Sequence, residues 1–154
     1  MTKSAFRVLK SWLCEKLCEL CGKMQIKQMT ENEIAKIVLD CALKVHKKLG
    51  PGLLESAYTE CLCYEIYQAG LFVEKEKPMS LEYGEIQLNV GYRTDIVVEN
   101  KFIIEVKAVD NLKDIHLAQL LTYLKLSGCK LGFLINFNVV LLKDGVRRVI
   151  NGKL

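Results

Sequence analysis

Asp95, Glu105 and Lys107 are the residues of this chain whose types and placing could do chemistry. They sit in two short stretches rich in Val and Ile, residues 93–98 and 102–106, which read as β-strands joined by the turn Glu99-Asn100-Lys101. Side chains alternate faces along a strand, so Glu105 and Lys107 project to the same side. A three-residue turn sets Val98 opposite Phe102 and therefore Asp95 opposite Glu105, and Asn100 tolerates the left-handed conformation such turns need. Two carboxylates and a lysine then share one face of an otherwise apolar hairpin, where ionised groups are costly unless compensated. Two compensations are open. One is a cross-strand salt bridge in which Lys107 neutralises a carboxylate. The other is a divalent cation such as Mg²⁺, held by carboxylate oxygens, water and a substrate phosphate. In the second case the lysine would orient an attacking water or stabilise charge developing on phosphate. Glu-x-Lys by itself is a weak pattern, and the chain carries its own control in Glu99-Asn100-Lys101, which has the same form inside a polar turn. Only Glu105-Val106-Lys107 follows an apolar strand and answers an Asp across a hairpin.

Several elements must position these groups. Thr30 and Glu33 have the spacing of a capping box, and Ile34, Ile37, Val38, Cys41, Val45 and Leu49 follow as a helical stripe. Gly50-Pro51-Gly52 stops that helix, and a second one runs over about residues 53–69, closed by Gly70. Glu55 stands in its first turn, where a carboxylate suits the helix dipole, with Tyr58 on the same face. His46, near the end of the first helix, suits a capping or surface role better than metal ligation. Residues 72–77 read as a strand that Pro78 ends or marks as an edge. Residues 80–83 and 86–90 form a hairpin around Gly84-Glu85. A polar turn over residues 110–114 caps a helix at 115–127, closed by Gly128. Leu117, Leu120, Leu121 and Leu124 make its core stripe. His116, Gln119 and Tyr123 share a neighbouring face that either rims a polar site or meets solvent. Residues 131–136 form a strongly apolar strand, and 139–143 with 147–150 read as a final hairpin around Asp144-Gly145. This order predicts an α/β (α+β) fold: a mixed β-sheet flanked by helices on both faces.

The chain of 154 residues suffices for one domain, residues 30–154, with a real core. Ahead of it, Phe6, Leu9, Leu13, Leu17 and Leu20 mark residues 1–29 as an amphipathic helical extension. Cys14, Cys18 and Cys21 share a spacing with iron–sulfur loops, but on a helix they fall on one face as three thiols without a fourth ligand. A net charge of +4 permits nucleic-acid binding without arguing for it. Seven cysteines, scattered through apolar stretches with no export signal pattern, read as reduced thiols in a cytoplasm. No apolar run approaches the length of a bilayer span.

Taken together, Glu55, Asp95, Glu105-Val106-Lys107, Gln119 and Tyr123 occur in an order that resembles PD-(D/E)xK nuclease-like domains. More closely, the chain is similar to the bacterial family named for its GxxExxY motif, matched by Gly52, Glu55 and Tyr58. Residues 45–52, 92–95, 105–108, 118–124 and 134–137 continue the likeness, which covers residues 30–151 and leaves the extension out. The resemblance implies a restriction-endonuclease-like core: a helix, a three-strand meander, a helix and another strand. It also implies roles. Glu55, Asp95 and Glu105 would bind Mg²⁺ or Mn²⁺, and Lys107 would be the catalytic lysine. Gln119 and Tyr123 would line the site, with Tyr58 and His116 beside them. The chain departs from the family pattern in having Thr94, where proline usually precedes the Asp; that proline shapes a strand end and does no chemistry. The expected activity is metal-dependent hydrolysis of nucleic acid, most simply DNA. Lys44, Lys47, Lys48 and Arg93 are the candidate phosphate contacts, together with Lys143, Arg147 and Arg148. The rival is a nuclease-fold module without catalysis that binds nucleic acid or a protein partner. Self-association is left open by either.

Overall fold

The computed structural model describes residues 29–154, so the expected N-terminal helix and Cys14, Cys18 and Cys21 lie outside the described residues. The described chain runs α1 (Glu31–Leu49), α2 (Glu55–Gln68), β1 (Val73–Tyr83), β2 (Ile86–Val98), β3 (Phe102–Lys107), α3 (Asp114–Ser127), β4 (Leu131–Asn136), α4 (Leu142–Gly145) and β5 (Val146–Ile150). The capping box at the start of α1 forms: Thr30 Oγ1 accepts from the Glu33 N–H at 3.3 Å, and Glu33 Oε2 accepts from the Thr30 N–H at 2.8 Å. The predicted stripe is the buried face of α1, with Ile34, Val38, Cys41 and Val45 inside. Gly50 ends the helix with φ +67°, a conformation that costs glycine least.

The five strands lie in sequence order, β1-β2-β3-β4-β5. β3 and β4 run parallel and the other pairs antiparallel. A parallel neighbour needs a crossover, and α3 supplies it. One face of the sheet packs Ile96, Val98, Ile104, Val106 and Ile135 under α1 and α2. The other packs Val97, Ile103 and Leu134 under Leu120, Tyr123 and Leu124 of α3. Helices thus cover both faces, as the element order predicted, and the parallel pair β3–β4 is apolar on both sides as such pairs must be. Among the described residues no helix is long and apolar enough to cross a membrane.

The sheet differs from expectation in two ways. The stretches 72–77 and 80–83 merge into the single strand β1, in which Pro78 sits in register with Arg93, and 86–90 and 93–98 merge likewise into β2. β1 is an edge strand, where a residue lacking an N–H is tolerated. The second difference is larger: residues 139–143 are not a strand. β4 has β3 on one side and needs a partner on the other, and β5 takes that place, pairing Ile135 with Val146. The chain between them passes from one strand to the other without joining the sheet. Val140 and Leu141 stay exposed while Leu142 turns into the core. Gly145 permits this path, since a Cβ there would lie 2.2 Å from the Asn136 carbonyl oxygen.

Candidate active site

The β2–β3 hairpin has the predicted register, Val98↔Phe102, Val97↔Ile103 and Ile96↔Ile104. Glu99 and Asn100 both take left-handed φ, +52° and +53°, and the Lys101 N–H closes the turn on the Val98 carbonyl at 3.0 Å. The ladder stops one residue short of the site. Asp95, instead of continuing it, turns its Oδ2 to accept the Val106 N–H at 2.8 Å. On the other side of β2 the register is continuous, Lys75 with Ile96 and Lys77 with Thr94, yet Glu76 and Asp95, which stand opposite each other between them, do not pair. Glu76 has φ +51°. Here Lys75 turns to Glu60 of α2, whereas Lys77 turns to Glu74 at 2.6 Å and Asn100 at 2.8 Å. The Thr94 hydroxyl donates to the Lys77 carbonyl at 3.4 Å, so the residue found in place of proline ties the two strands beside the unpaired position.

Asp95 and Glu105 reach this point by different routes. Glu105 is in register with Leu134, which belongs to the core under α3. Asp95 lies in the seam between β2 and β3. It opens on a hollow of about 160 Å³ beside α2, lined also by Glu55, Thr59, Glu60 and Glu76. The two carboxylates approach across that seam, close enough for the charge of Asp95 to act on Glu105.

Glu105 is 1% exposed. Its Oε1 accepts from Lys107 Nζ at 2.7 Å, while its Oε2 is buried with no donor. Burial pushes this carboxyl up to about 7, and the negative charge of Asp95 adds to the effect against the pull of Lys107. Asp95 is also raised, by burial, although the Val106 N–H and Lys107 work the other way. Burial acts to lower Lys107. Its bond to Glu105 and the surrounding carboxylates Glu105, Glu55 and Asp95 outweigh that and hold it above the usual lysine range. Lys107 is therefore a firmly charged ammonium with only 11% of its side chain exposed.

Glu55 reaches the same ammonium from the first turn of α2, with Oε1 3.8 Å from Lys107 Nζ. No side chain caps that helix. The preceding loop is held instead by Tyr58, whose hydroxyl donates to the Gly50 carbonyl at 2.6 Å and accepts the Leu53 N–H at 3.1 Å. Tyr58 is fully buried, so it sets where α2 begins and does not line the site. The structure thus brings together Glu55, Asp95, Glu105 and Lys107. Among the described residues no hydrogen bond or ion pair joins the α3 candidates His116, Gln119 or Tyr123 to them. Tyr123 is a core residue under the sheet, and its hydroxyl accepts from Gln119 Nε2 at 3.1 Å. His116 Nδ1 accepts the Lys113 N–H at 3.2 Å, and the ring lines a separate hollow with Asp110 and Asn111.

The basic candidates divide likewise. Lys44 lies 4.0 Å from Glu65 and Arg93 3.5 Å from Glu76. Arg147 is bonded to the carbonyls of Asp144 and Val146, and Arg148 to Asn32. Lys47 and Lys48 stand exposed on the last turn of α1, whose following loop leads directly to Glu55. His46 turns away, its Nε2 2.8 Å from the Val139 carbonyl oxygen.

Among the described residues no three His, Cys, Asp or Glu side chains converge closely enough to hold a metal ion. The ammonium of Lys107 stands between Glu105 and Glu55. The donor set is nevertheless that of a hard cation, carboxylate oxygens throughout. The orphaned Oε2 of Glu105 is a buried acceptor lacking the positive partner such atoms require, and to that extent the residues fit a divalent ion.

A mixed sheet between helical layers, with an acid in the seam of two central strands and Glu-x-Lys at the end of one, is a restriction-endonuclease-like α+β fold. The chain belongs to the PD-(D/E)XK nuclease superfamily, whose family model matches residues 32–149. No curated protein matches it. Among solved structures it is similar to one described as "Crystal structure of SSO0001", at 18% identity over 100% of this chain and 79% of that chain, with a TM-score of 0.35.

Two contributors carried little or no sequence signal as site residues. Glu76 stood among alternating charges that look like any solvated edge. Asn136 had one available sign, a polar residue closing an otherwise apolar strand.

Proposed function

We propose that this chain is a Mg²⁺- or Mn²⁺-dependent nuclease that hydrolyses phosphodiester bonds of DNA. The observation that carries this is Glu105: a buried carboxylate with one oxygen on Lys107 and the other without a donor, adjoining Asp95 and Glu55. Membership of the nuclease superfamily supports the same reading. Glu55, Asp95 and Glu105 are the residues that would hold the ion. Bound there, a divalent cation supplies Lewis-acid stabilisation of phosphate charge. Lys107 keeps its proton and directs a fixed positive charge at the phosphoryl oxygens, where it is worth most because the site is largely shielded from water. Asp95 is held by the Val106 N–H, so its position is set before substrate arrives. Lys47 and Lys48 are placed to take the phosphate backbone, a contact that positions without reading sequence. Seven cysteines suit a reducing compartment, and we assign the protein to the cytoplasm.

One observation favours a second reading. Lys107 already stands between Glu105 and Glu55, and among the described residues no three acidic ligands converge. A domain content with that internal ion pair would bind nucleic acid or a protein partner without cutting. The test is cleavage of single- and double-stranded DNA and RNA with Mg²⁺ or Mn²⁺, comparing wild type with Glu105→Ala and Lys107→Ala. Metal-dependent cutting lost in both variants supports the nuclease. Binding without cutting on every substrate supports the module.

A further inference from the structure

Lys107 and Glu55 arrive at the site from different layers, one on the sheet and one on a helix, yet their charged atoms lie 3.8 Å apart. Something must hold the two layers in register, and the end of β4 does so through two adjacent residues. Asn136 stands beside Lys107 in the parallel ladder and is 2% exposed. Its side-chain amide behaves as an extra peptide unit for the chain leaving Lys107: Nδ2 donates to the Val109 carbonyl at 2.7 Å, and Oδ1 accepts the Val109 N–H at 3.0 Å. The same oxygen accepts the Asn138 N–H at 3.2 Å. Phe137 comes next. Its N–H donates to the Lys107 carbonyl at 2.8 Å, extending the ladder past its last pair. Its ring stacks on Tyr58, with centroids 4.6 Å apart and planes 6° from parallel. Tyr58 in turn fixes Gly50 and Leu53 ahead of Glu55. Phe137 thus touches the backbone of the lysine with one group and the support of the glutamate with another.

We infer that Asn136 and Phe137 are positioning residues that lock Lys107 and Glu55 to each other, an inference that rests on the nuclease reading for its catalytic consequence. A buried asparagine in an apolar strand is costly unless every polar atom is used. Here each is used on the exit of β3 and none on the core. Gly145 belongs to the same device, because its lack of a Cβ lets α4 close over the Asn136 carbonyl.

The experiment compares Asn136→Ala and Phe137→Leu with Leu124→Ala, a core truncation under the opposite face, all measured below their melting temperatures. Two readouts are taken: cleavage kinetics, and the ¹⁵Nζ resonance of the Lys107 ammonium, assigned by its loss in Lys107→Arg. If wild type cuts DNA, the clamp variants should lose about 10- to 100-fold in kcat with KM little changed, as misplaced catalytic groups do. Leu124→Ala should stay within about twofold, since it touches neither layer's link to the site. Undiminished kcat in both clamp variants overturns the inference. If wild type cuts nothing, the nuclease reading fails and the ammonium resonance alone decides. Its loss in the clamp variants but not in Leu124→Ala supports the clamp, and its persistence overturns it. Should Asn136→Ala fail to fold, Phe137→Leu, which keeps an apolar side chain in place, carries the test.

Discussion

β3 is bracketed by two copies of one pattern, Glu99-Asn100-Lys101 before it and Glu105-Val106-Lys107 at its end, and their fates are opposite. In the first, glutamate and lysine never meet. Glu99 Oε1 accepts the Phe72 N–H at 2.6 Å and Lys101 Nζ donates to the Met29 carbonyl at 3.1 Å, so both side chains tie the turn to neighbouring chain. In the second the two bond each other at 2.7 Å inside the protein, beside two further carboxylates. Residue type and spacing are the same, and surroundings make the difference. A turn in left-handed conformation spreads its side chains apart, whereas a strand returns alternate side chains to one face. Burial then removes the water that makes such pairs unimportant at surfaces.

The widest separation should be catalytic. Lys107→Ala and Glu105→Ala are expected to lower kcat/KM by about 10²–10³-fold, the usual cost of removing a preorganised charge at a reacting phosphate. Lys101→Ala should leave it within about twofold. Parallel cleavage assays on the three variants measure this, and equal losses at Lys101 and Lys107 would erase the distinction.

Stability should separate the two ends next. The Glu105 carboxyl titrates near 7 when folded, against an ordinary 4.5 when unfolded. Between those values the folded chain keeps a proton that the unfolded chain has released, so stability falls as pH rises through that window. Below it the penalty is absent, and above it the penalty is complete, at most about 3 kcal/mol for a shift of this size. Glu105→Gln should therefore stabilise the protein by about 1–3 kcal/mol at pH 8 and by nothing at pH 4, read from urea unfolding in EDTA. A gain that is equal at both values would assign it to packing. Restoring Mn²⁺ reverses the ranking: wild type should gain about 2.7 kcal/mol at a hundredfold excess over Kd. Glu105→Gln should gain far less, because it has lost a charged ligand.

Much of this arrangement is legible in the chain because it is local. Thr30 and Glu33 announce a helix start across three residues, Gly50 ends the same helix, and the length of the turn at Glu99 suffices to pair Val98 with Phe102. The displaced position of Asp95 is not local. It goes with Glu76, nineteen residues earlier in the chain, standing opposite it without pairing, and no periodicity in either segment shows that. Residues 139–143 mislead for a related reason: their run of Val and Leu suits a strand, but the free edge of β4 had already been claimed by β5. Periodicity also placed Gln119 and Tyr123 together on α3 without saying that this face meets the sheet. Tyr58 sits three residues from Glu55, and its phenol found backbone partners that spacing cannot foresee. The four charged groups of the site were readable from their order along the chain. The residues that hold them, Asn136 and Phe137, were not, because their role exists only in contacts between layers.

The smallest expected effect tests the turn from its own side. Glu99 holds φ +52°, which no side chain adopts freely, and its carboxylate offsets that cost by accepting the Phe72 N–H. Glu99→Ala keeps the strained backbone and loses the acceptor, so it should destabilise by about 1 kcal/mol. Glu99→Gly loses the same bond but relieves the backbone, which returns about half to all of that amount. Chemical denaturation of the two variants measures the difference, and the cleavage assay should show both within about twofold of wild type. If Glu99→Ala instead cut cleavage as deeply as Glu105→Ala, the turn would be transmitting its geometry along β3 to Lys107. The two ends of the strand would then be one functional unit, contrary to the division drawn from their bonds.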